Sequence, residues 1–216
     1  MKNMTESTER KIIRGVGVFL LITEIGKQLM LTFVVNQGVY SWWYFPWQLC
    51  SIPMYVCLIA AGRGVYDSCL SFLATFGLMA GVAAFFDTSG FVLAHPLLTV
   101  HSYVWHFVLI GTGLFAAARR RNFRFLPPLL IYLGAAAIAE IINVAAFDAG
   151  CRPINMFYIS PRYVFCQAVI KDLVPVIGNT AAIIVYIIVC ILGAFLINAA
   201  EKILRKSAAS GDKSSK

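Results

Sequence analysis

Few side chains in this sequence can make and break bonds: six cysteines, three histidines, and a small set of carboxylates and amides. The most distinctive placement is in Trp43–Cys57, where Pro46 precedes Cys50 and Pro53 precedes Cys57 at the same spacing. A thiolate is the reactive form of cysteine, and it is favoured near a helix N-terminus, where backbone N–H groups point outward. Cys50 is the cysteine closest to such a helix start. Pro53 carries no N–H, so the carbonyl of Leu49 is left as a free acceptor beside it. His101 and His106 are the candidate bases. They are five residues apart on one helix, roughly 140° around its axis, and so face different directions. A shared metal would need both on one face. No carboxylate or cysteine group has metal-ligand spacing either, so neither a metal nor a cofactor is expected. The plainer reading stands beside the chemical one: free cysteines are mostly small buried hydrophobes, and buried histidines are mostly hydrogen-bonded structural residues.

The elements that must position these residues are apolar runs. The chain of 216 residues is 60% hydrophobic and 13% charged, with a mean hydropathy of +0.78. That is far from a soluble domain. The runs approach or exceed the ~18 residues that cross a bilayer. They fall at about Ile12–Val35, Phe45–Gly62, Tyr66–Phe86, Pro96–Ala118, Leu126–Phe147 and Leu173–Ala200. The fold expected is all-α: a polytopic transmembrane bundle of six spanning helices with a long outer loop between the fifth and sixth. Residues 1–11 form a short leading segment, 12–200 the membrane domain and 201–216 a basic tail that becomes disordered toward its end. The first run is too long for a signal peptide, is broken by Glu24 and Lys27, and has no small-residue cleavage site, so it is expected to stay as a spanning helix.

The net charge of +8 sits in short segments between the runs, which excludes a nucleic-acid partner and sets an orientation instead. Lys2, Arg10, Lys11, Arg14, Arg63, Arg119, Arg120, Arg121, Arg124, Lys202, Arg205, Lys206, Lys213 and Lys216 all fall on one side. Only Arg152, Arg162 and Lys171 fall on the other, with Lys27 inside a helix. Both termini are therefore expected in the cytoplasm of a cell-membrane protein, and an even number of spans agrees. Trp42, Trp43 and Trp47, with Tyr40 and Tyr44, make an aromatic belt at the outer interface.

With that orientation the polar residues inside the membrane share one depth. Cys50, the two histidines, Glu24 with Lys27 and Gln28, Glu140 with Asn143, and Asn179 all fall in the outer half. Ionisable groups there are costly and mark function by default. The plain alternative is a Glu24–Lys27 ion pair and a Glu140–Asn143 pair that only hold helices together. Asn155–Pro161 is too apolar for a solvated loop and is expected to cover the outer mouth as a lid or re-entrant piece. Cys151 and Cys166 lie in the same outer loop, where a disulfide is open as a possibility.

The Pro46-Trp-Gln-Leu-Cys-Ser51 motif, a histidine in the fourth helix and Asn155–Pro161 together resemble the YwaF-like integral membrane proteins of bacteria, which are related to the eukaryotic transmembrane protein 164. Pro46, Leu49 and Cys50 match the family's Pro-x-x-Leu-Cys; His106 matches its helix-four histidine; Asn155 and Tyr158 match its Asn-Tyr-x-Tyr segment. Gln48 and Met156 depart from the pattern. The resemblance implies an acyltransferase that moves a fatty acyl group between membrane phospholipids, with Cys50 as nucleophile and His106 as general base. Gln48, Asn155 or Asn179 would supply the oxyanion donor, and Glu24, Lys27, Glu140, Asn143 and Tyr158 would support the site. Two other readings stay open: a small-solute transporter or channel lined by Glu24, Lys27, His106 and Glu140, and a scaffold or sensor in which the polar residues only fix packing. Membrane lipids, as substrate or solvent, are the partners implied.

Overall fold

The computed structural model describes residues 4–60, 62, 64–91 and 93–214, with side chains to 207. Lys2, Arg63 and Lys216, and the side chain of Lys213, which entered the charge comparison, lie outside it. The described chain is all-helical, without a strand. Its main helices are α1 (Glu6–Val35), α2 (Ile52–Ile59), α3 (Tyr66–Phe86), α4 (Pro96–Arg119), α5 (Leu126–Asp148) and α6 (Asn179–Ser214). Short 3₁₀ turns join them.

Local chemistry sets the starts. Thr5 caps α1, its hydroxyl accepting from the N–H of Thr8, with Glu6 and Glu9 in the positive first turn. Prolines occupy the first turns of α4 and α5, where a missing N–H costs nothing. Among the described residues, five helices are long and apolar enough to cross a membrane: α1, α3, α4, α5 and most of α6. Of their most apolar stretches, that of α3 is 61% buried, against 17% for α1 and 22% for α5 and α6. So α3 is the central helix and the others turn apolar faces outward, among them Phe107, Leu130, Ile141 and Leu196. Close crossings use glycine. A Cβ on Gly113 of α4 would sit 2.7 Å from the Cβ of Leu78 in α3, and one on Gly17 of α1 would sit 2.9 Å from that of Cys57 in α2.

The expected second span differs most. A helix from Phe45 would hold Pro53 in its interior, at a cost of ~3 kcal/mol. The chain instead takes a 3₁₀ turn at Trp42–Tyr44, runs through turns to Ser51, and starts α2 at Ile52, so that Pro53 falls in the first turn. The whole segment still travels the length of α1. Its beginning is tied to α1 where Gln28 Nε2 donates to the Tyr44 carbonyl at 2.6 Å, and its end where Arg10 Nη1 donates to the Gly62 carbonyl at 2.7 Å.

Two bundle ends result. One, the basic end, gathers the start of α1, Gly62, the start of α3, the end of α4 and the second half of α6. There Tyr66 donates to Glu9 at 3.2 Å, Arg119 lies 3.6 Å from Glu9, and Arg120 pairs with Glu201 at 2.7 Å. The far end gathers Gln28, Tyr44, Gln48, Asn143 and the connection from α5 to α6. Two other expectations change. The sixth helix begins at Asn179, not Leu173, because Gly178 at φ +84° breaks it from the turn Val174–Ile177. At its other end it does not stop at Ala200 but runs on to Ser214. The tail has no proline and is held by Glu201 and Arg205, so the helix continues.

Candidate functional site

Two non-helical stretches enter the bundle from the far end and meet inside it: the turns ahead of α2 and the connection after α5. Backbone this irregular is tolerated at membrane depth only where protein surrounds it, and side chains do surround it. Trp47 Nε1 donates to the Ala135 carbonyl in α5 at 3.0 Å, and Tyr55 donates to the Pro46 carbonyl at 3.0 Å. Gln48 Nε2 donates to the Asn155 carbonyl at 2.9 Å and joins the two stretches. On the other side, Asn143 grips Met156 twice: its Oδ1 accepts from the Met156 N–H at 2.6 Å, and its Nδ2 donates to the Met156 carbonyl at 3.1 Å. Asn155 Oδ1 accepts from the Ser160 N–H at 3.0 Å. These bonds hold Phe157 and Tyr158 at φ of 56° and 57°, a left-handed turn uncommon for bulky residues. The apolar side chains then go inward. Ile154, Met156 and Phe157 are fully buried, with the Phe157 ring 6.0 Å from that of Tyr132. The lid expected over the mouth is thus a plug seated in the bundle.

Beside the plug, polar side chains from α1, the turns before α2 and α4 cluster together, and the cluster is termed the chamber. Glu24 is buried, with Lys27 Nζ at 2.8 Å and Gln28 Nε2 at 2.7 Å from its Oε1. An ion pair in such surroundings offsets part of a large desolvation cost rather than adding stability. Cys50 is half-buried and closes one wall, with its carbonyl accepting from Trp105 Nε1 at 3.1 Å. His101 sits one turn before Trp105 on the same face of α4, ring centres 5.5 Å apart. Both His101 ring nitrogens are buried and make no hydrogen bond. The Glu24–Lys27 pair lies in electrostatic range of both the Cys50 thiol and the His101 ring, and Lys27 is in range of the His106 ring as well. Tyr158, on the plug, stacks edge-on against Trp43 at 6.2 Å. The Tyr158 phenol carries an O–H that can donate.

His106 is elsewhere. Its Nδ1 contacts the Ser102 carbonyl at 2.8 Å, its ring stacks on Phe91 at 4.5 Å, and Phe85 meets it edge-on at 6.3 Å. Among the described residues no hydrogen bond joins it to Cys50. The reason is the helical angle between the two histidines: the face that carries His101 and Trp105 meets Cys50 and the ion pair, and the His106 face meets the aromatic turn after α3. Asn179, the first residue of α6, spends its amide on the loop, accepting from the Phe165 N–H at 2.7 Å and donating to the Tyr163 carbonyl at 2.9 Å. Glu140 serves Asn143, with Oε2 accepting at 3.2 Å. Gln48, by contrast, leaves its buried Oε1 without a partner. All six cysteines are free thiols; Cys151 and Cys166 are not bridged, and Cys57, Cys69 and Cys190 are buried among apolar side chains.

Sequence reasoning preferred His106 to His101 and passed over the two polar arrangements at the basic end. The signal for His101 was present: Trp105 follows it by one helical turn and carries the only donor an indole has.

The fold and the outward apolar faces define a class, a multi-pass integral membrane protein. Beyond that class, comparison with protein-family models, curated proteins and solved structures finds no match.

Proposed function

We propose that the protein crosses the membrane six times, the sixth crossing being the broken segment from Tyr44 to Gly62, with both termini and the basic end in the cytoplasm of a cell membrane. The clustering of Arg10, Arg119, Arg120 and Arg205 at one end supports that orientation. In that frame the chamber lies in the outer leaflet half, where an acyl chain can enter between helices without leaving the bilayer. The reaction it suits is cysteine-dependent acyl transfer between membrane lipids, the activity that the YwaF-like resemblance implies. The observation that carries this reading is that Trp105, whose indole donates to the Cys50 carbonyl, shares a helix face with His101, a buried imidazole without a partner.

His101 takes the proton of the Cys50 thiol, and the thiolate attacks the carbonyl carbon of a lipid ester. The tetrahedral oxyanion collapses, the C–O bond breaks, and imidazolium returns the proton to the leaving alkoxide, giving a lysolipid and an S-acyl Cys50. A lipid hydroxyl or water, deprotonated by His101, then attacks the thioester and releases Cys50. Tyr158 and Gln48 are the donors nearest to hand for the oxyanion. His101 replaces His106 in this scheme, because its helix face carries Trp105, which bonds to the Cys50 carbonyl, whereas the His106 ring stacks on Phe91.

A transporter is less well supported. Toward the basic end from Glu24, α1 buries Leu20 and Ile13 and packs Gly17 against Cys57, an apolar seal with no polar side chain to carry a solute.

The test is an acyl adduct. Reconstituted protein incubated with phospholipid labelled in its acyl chain is expected to carry a hydroxylamine-sensitive label on Cys50. Cys50→Ala abolishes it. His101→Gln slows its formation by ~10²–10⁴-fold, the usual worth of a general base, whereas His106→Gln leaves the rate within about tenfold, the effect of moving a neighbour without removing a base. A labelled adduct that survives Cys50→Ala sinks the proposal.

A further inference from the structure

We infer that the basic end carries a separate binding site for a phosphate group joined to a primary ammonium, the headgroup chemistry of an ethanolamine phospholipid. The site is a polar cavity of about 160 Å³ at the start of α1 and α3 and the end of α4. Three arginines and three carboxylates line it: Arg10, Arg119, Arg121, Glu6, Glu9 and Asp67. Internal pairing accounts for most of them. Arg10 is bound by Glu6 through two nitrogens at 2.9 and 2.6 Å, donates to the Gly62 carbonyl, and lies over the Tyr66 ring at 4.2 Å. Glu9 is buried and accepts from the Tyr66 hydroxyl at 3.2 Å.

The remainder points to a ligand. Arg119 reaches Glu9 only at 3.6 Å, beyond hydrogen-bond length, and its Nε is buried with no partner at all. A buried guanidinium donor left unmade is costly, and a ligand oxygen would satisfy it. Arg121 and Asp67 are exposed on the same rim, and neither makes an ion pair among the described residues. Two guanidiniums with donors to spare suit phosphate oxygens, since planar N–H forks match that geometry. The cavity's formal charges cancel, however, which favours a zwitterion over a simple anion. The unpaired carboxylate of Asp67 supplies the counter-charge for an ammonium, and a primary one can donate hydrogen bonds to it where a quaternary one cannot. The level is right for a headgroup, because the apolar stretches of α1, α3 and α4 all begin or end beside this cavity.

This site is independent of the chamber and of its chemistry. The experiment uses the full chain in nanodiscs of phosphatidylcholine containing small equal amounts of phosphatidylethanolamine and phosphatidylglycerol, with retained lipid counted by native mass spectrometry. Phosphatidylethanolamine is expected to be enriched over both others. Arg121→Gln removes a phosphate contact common to all three lipids and lowers the retention of each about tenfold. Asp67→Asn brings phosphatidylethanolamine down to the level of phosphatidylcholine and leaves phosphatidylglycerol unchanged. Both residues are exposed, so neither change threatens the fold. Displacement by free phosphoethanolamine assigns the same site to soluble phosphoesters; no displacement assigns it to the bilayer. Equal retention of all three lipids, or retention unmoved by both substitutions, overturns the proposal.

Discussion

At the basic end, the guanidinium of Arg120 is fully enclosed and bonds through two of its nitrogens, Nε to Glu201 Oε2 at 2.8 Å and Nη1 to Asn198 Oδ1 at 2.9 Å, with Phe123 under its plane at 4.6 Å, while Glu201 Oε1 is left without a hydrogen bond. Asn198 donates in turn to the Phe123 carbonyl at 3.1 Å, tying α6 to the loop after α4. At the far end, His101 is also enclosed at both nitrogens, yet it bonds to nothing, and Gln48 leaves an oxygen unpaired. Both arrangements place polar atoms where desolvation is expensive. The Arg120 cluster uses most of them to join two helices; the histidine leaves both of its own unpaired. A cluster bonded across helices is built for rigidity, and an unpaired buried donor, at Arg119 as at His101, marks where a ligand is to be sought.

The largest test of that contrast is Arg120→Ala. Removing one member of an enclosed pair strands Glu201, and stability should fall by about 3–5 kcal/mol. Unfolding in detergent, followed by helical signal against denaturant, reads the loss. A change below about 1 kcal/mol, the range of an exposed pair, would mean that the basic end is no tighter than a surface ion pair.

Asn143→Ala comes next, and it probes the boundary between the two behaviours. The amide holds the plug through both backbone groups of Met156, which is buried with it. Losing those bonds leaves two enclosed peptide groups unpaired, about 1–3 kcal/mol for each. The plug borders Cys50 through Gln48 and Tyr158, so its loosening should also raise the rate at which Cys50 reacts with a membrane-permeant maleimide. Lower stability with an unchanged labelling rate would separate the plug from the chamber.

Much of this was legible in the sequence, and the exceptions are instructive. Tyr66–Phe86 and the start of α5 at Leu126 follow from apolar length and proline position alone. The gathering of arginines at one end follows from charge placement, since lipid excludes them from anywhere else. The Glu24–Lys27 pair follows from helical spacing. What failed was proline arithmetic over the second run. Pro53 was read as a free carbonyl within a helix, whereas the chain moves the helix start to Ile52 and spends the residues before it on a buried turn. Trp47 makes that possible by bonding to the Ala135 carbonyl 88 residues away, a contact that no local pattern encodes. The choice between His101 and His106 failed for a similar reason. Spacing says that they face apart, but only packing says which face meets Cys50.

The smallest expected effect on stability is the most discriminating. Replacing an unpartnered buried polar group with an apolar one of similar shape is nearly neutral, because no bond is lost and a desolvation cost is removed. His101→Leu should therefore leave stability within about 1 kcal/mol of the parent or raise it. Arg120→Leu, equally apolar, should still lose several kcal/mol by the stranded Glu201. The same His101→Leu protein should fail to form the Cys50 acyl adduct at a measurable rate. A group that costs the fold and is missed only by the chemistry is what a catalytic position looks like. If His101→Leu instead unfolds the protein as Arg120→Leu does, His101 is a packing residue and the two ends of the bundle are built alike.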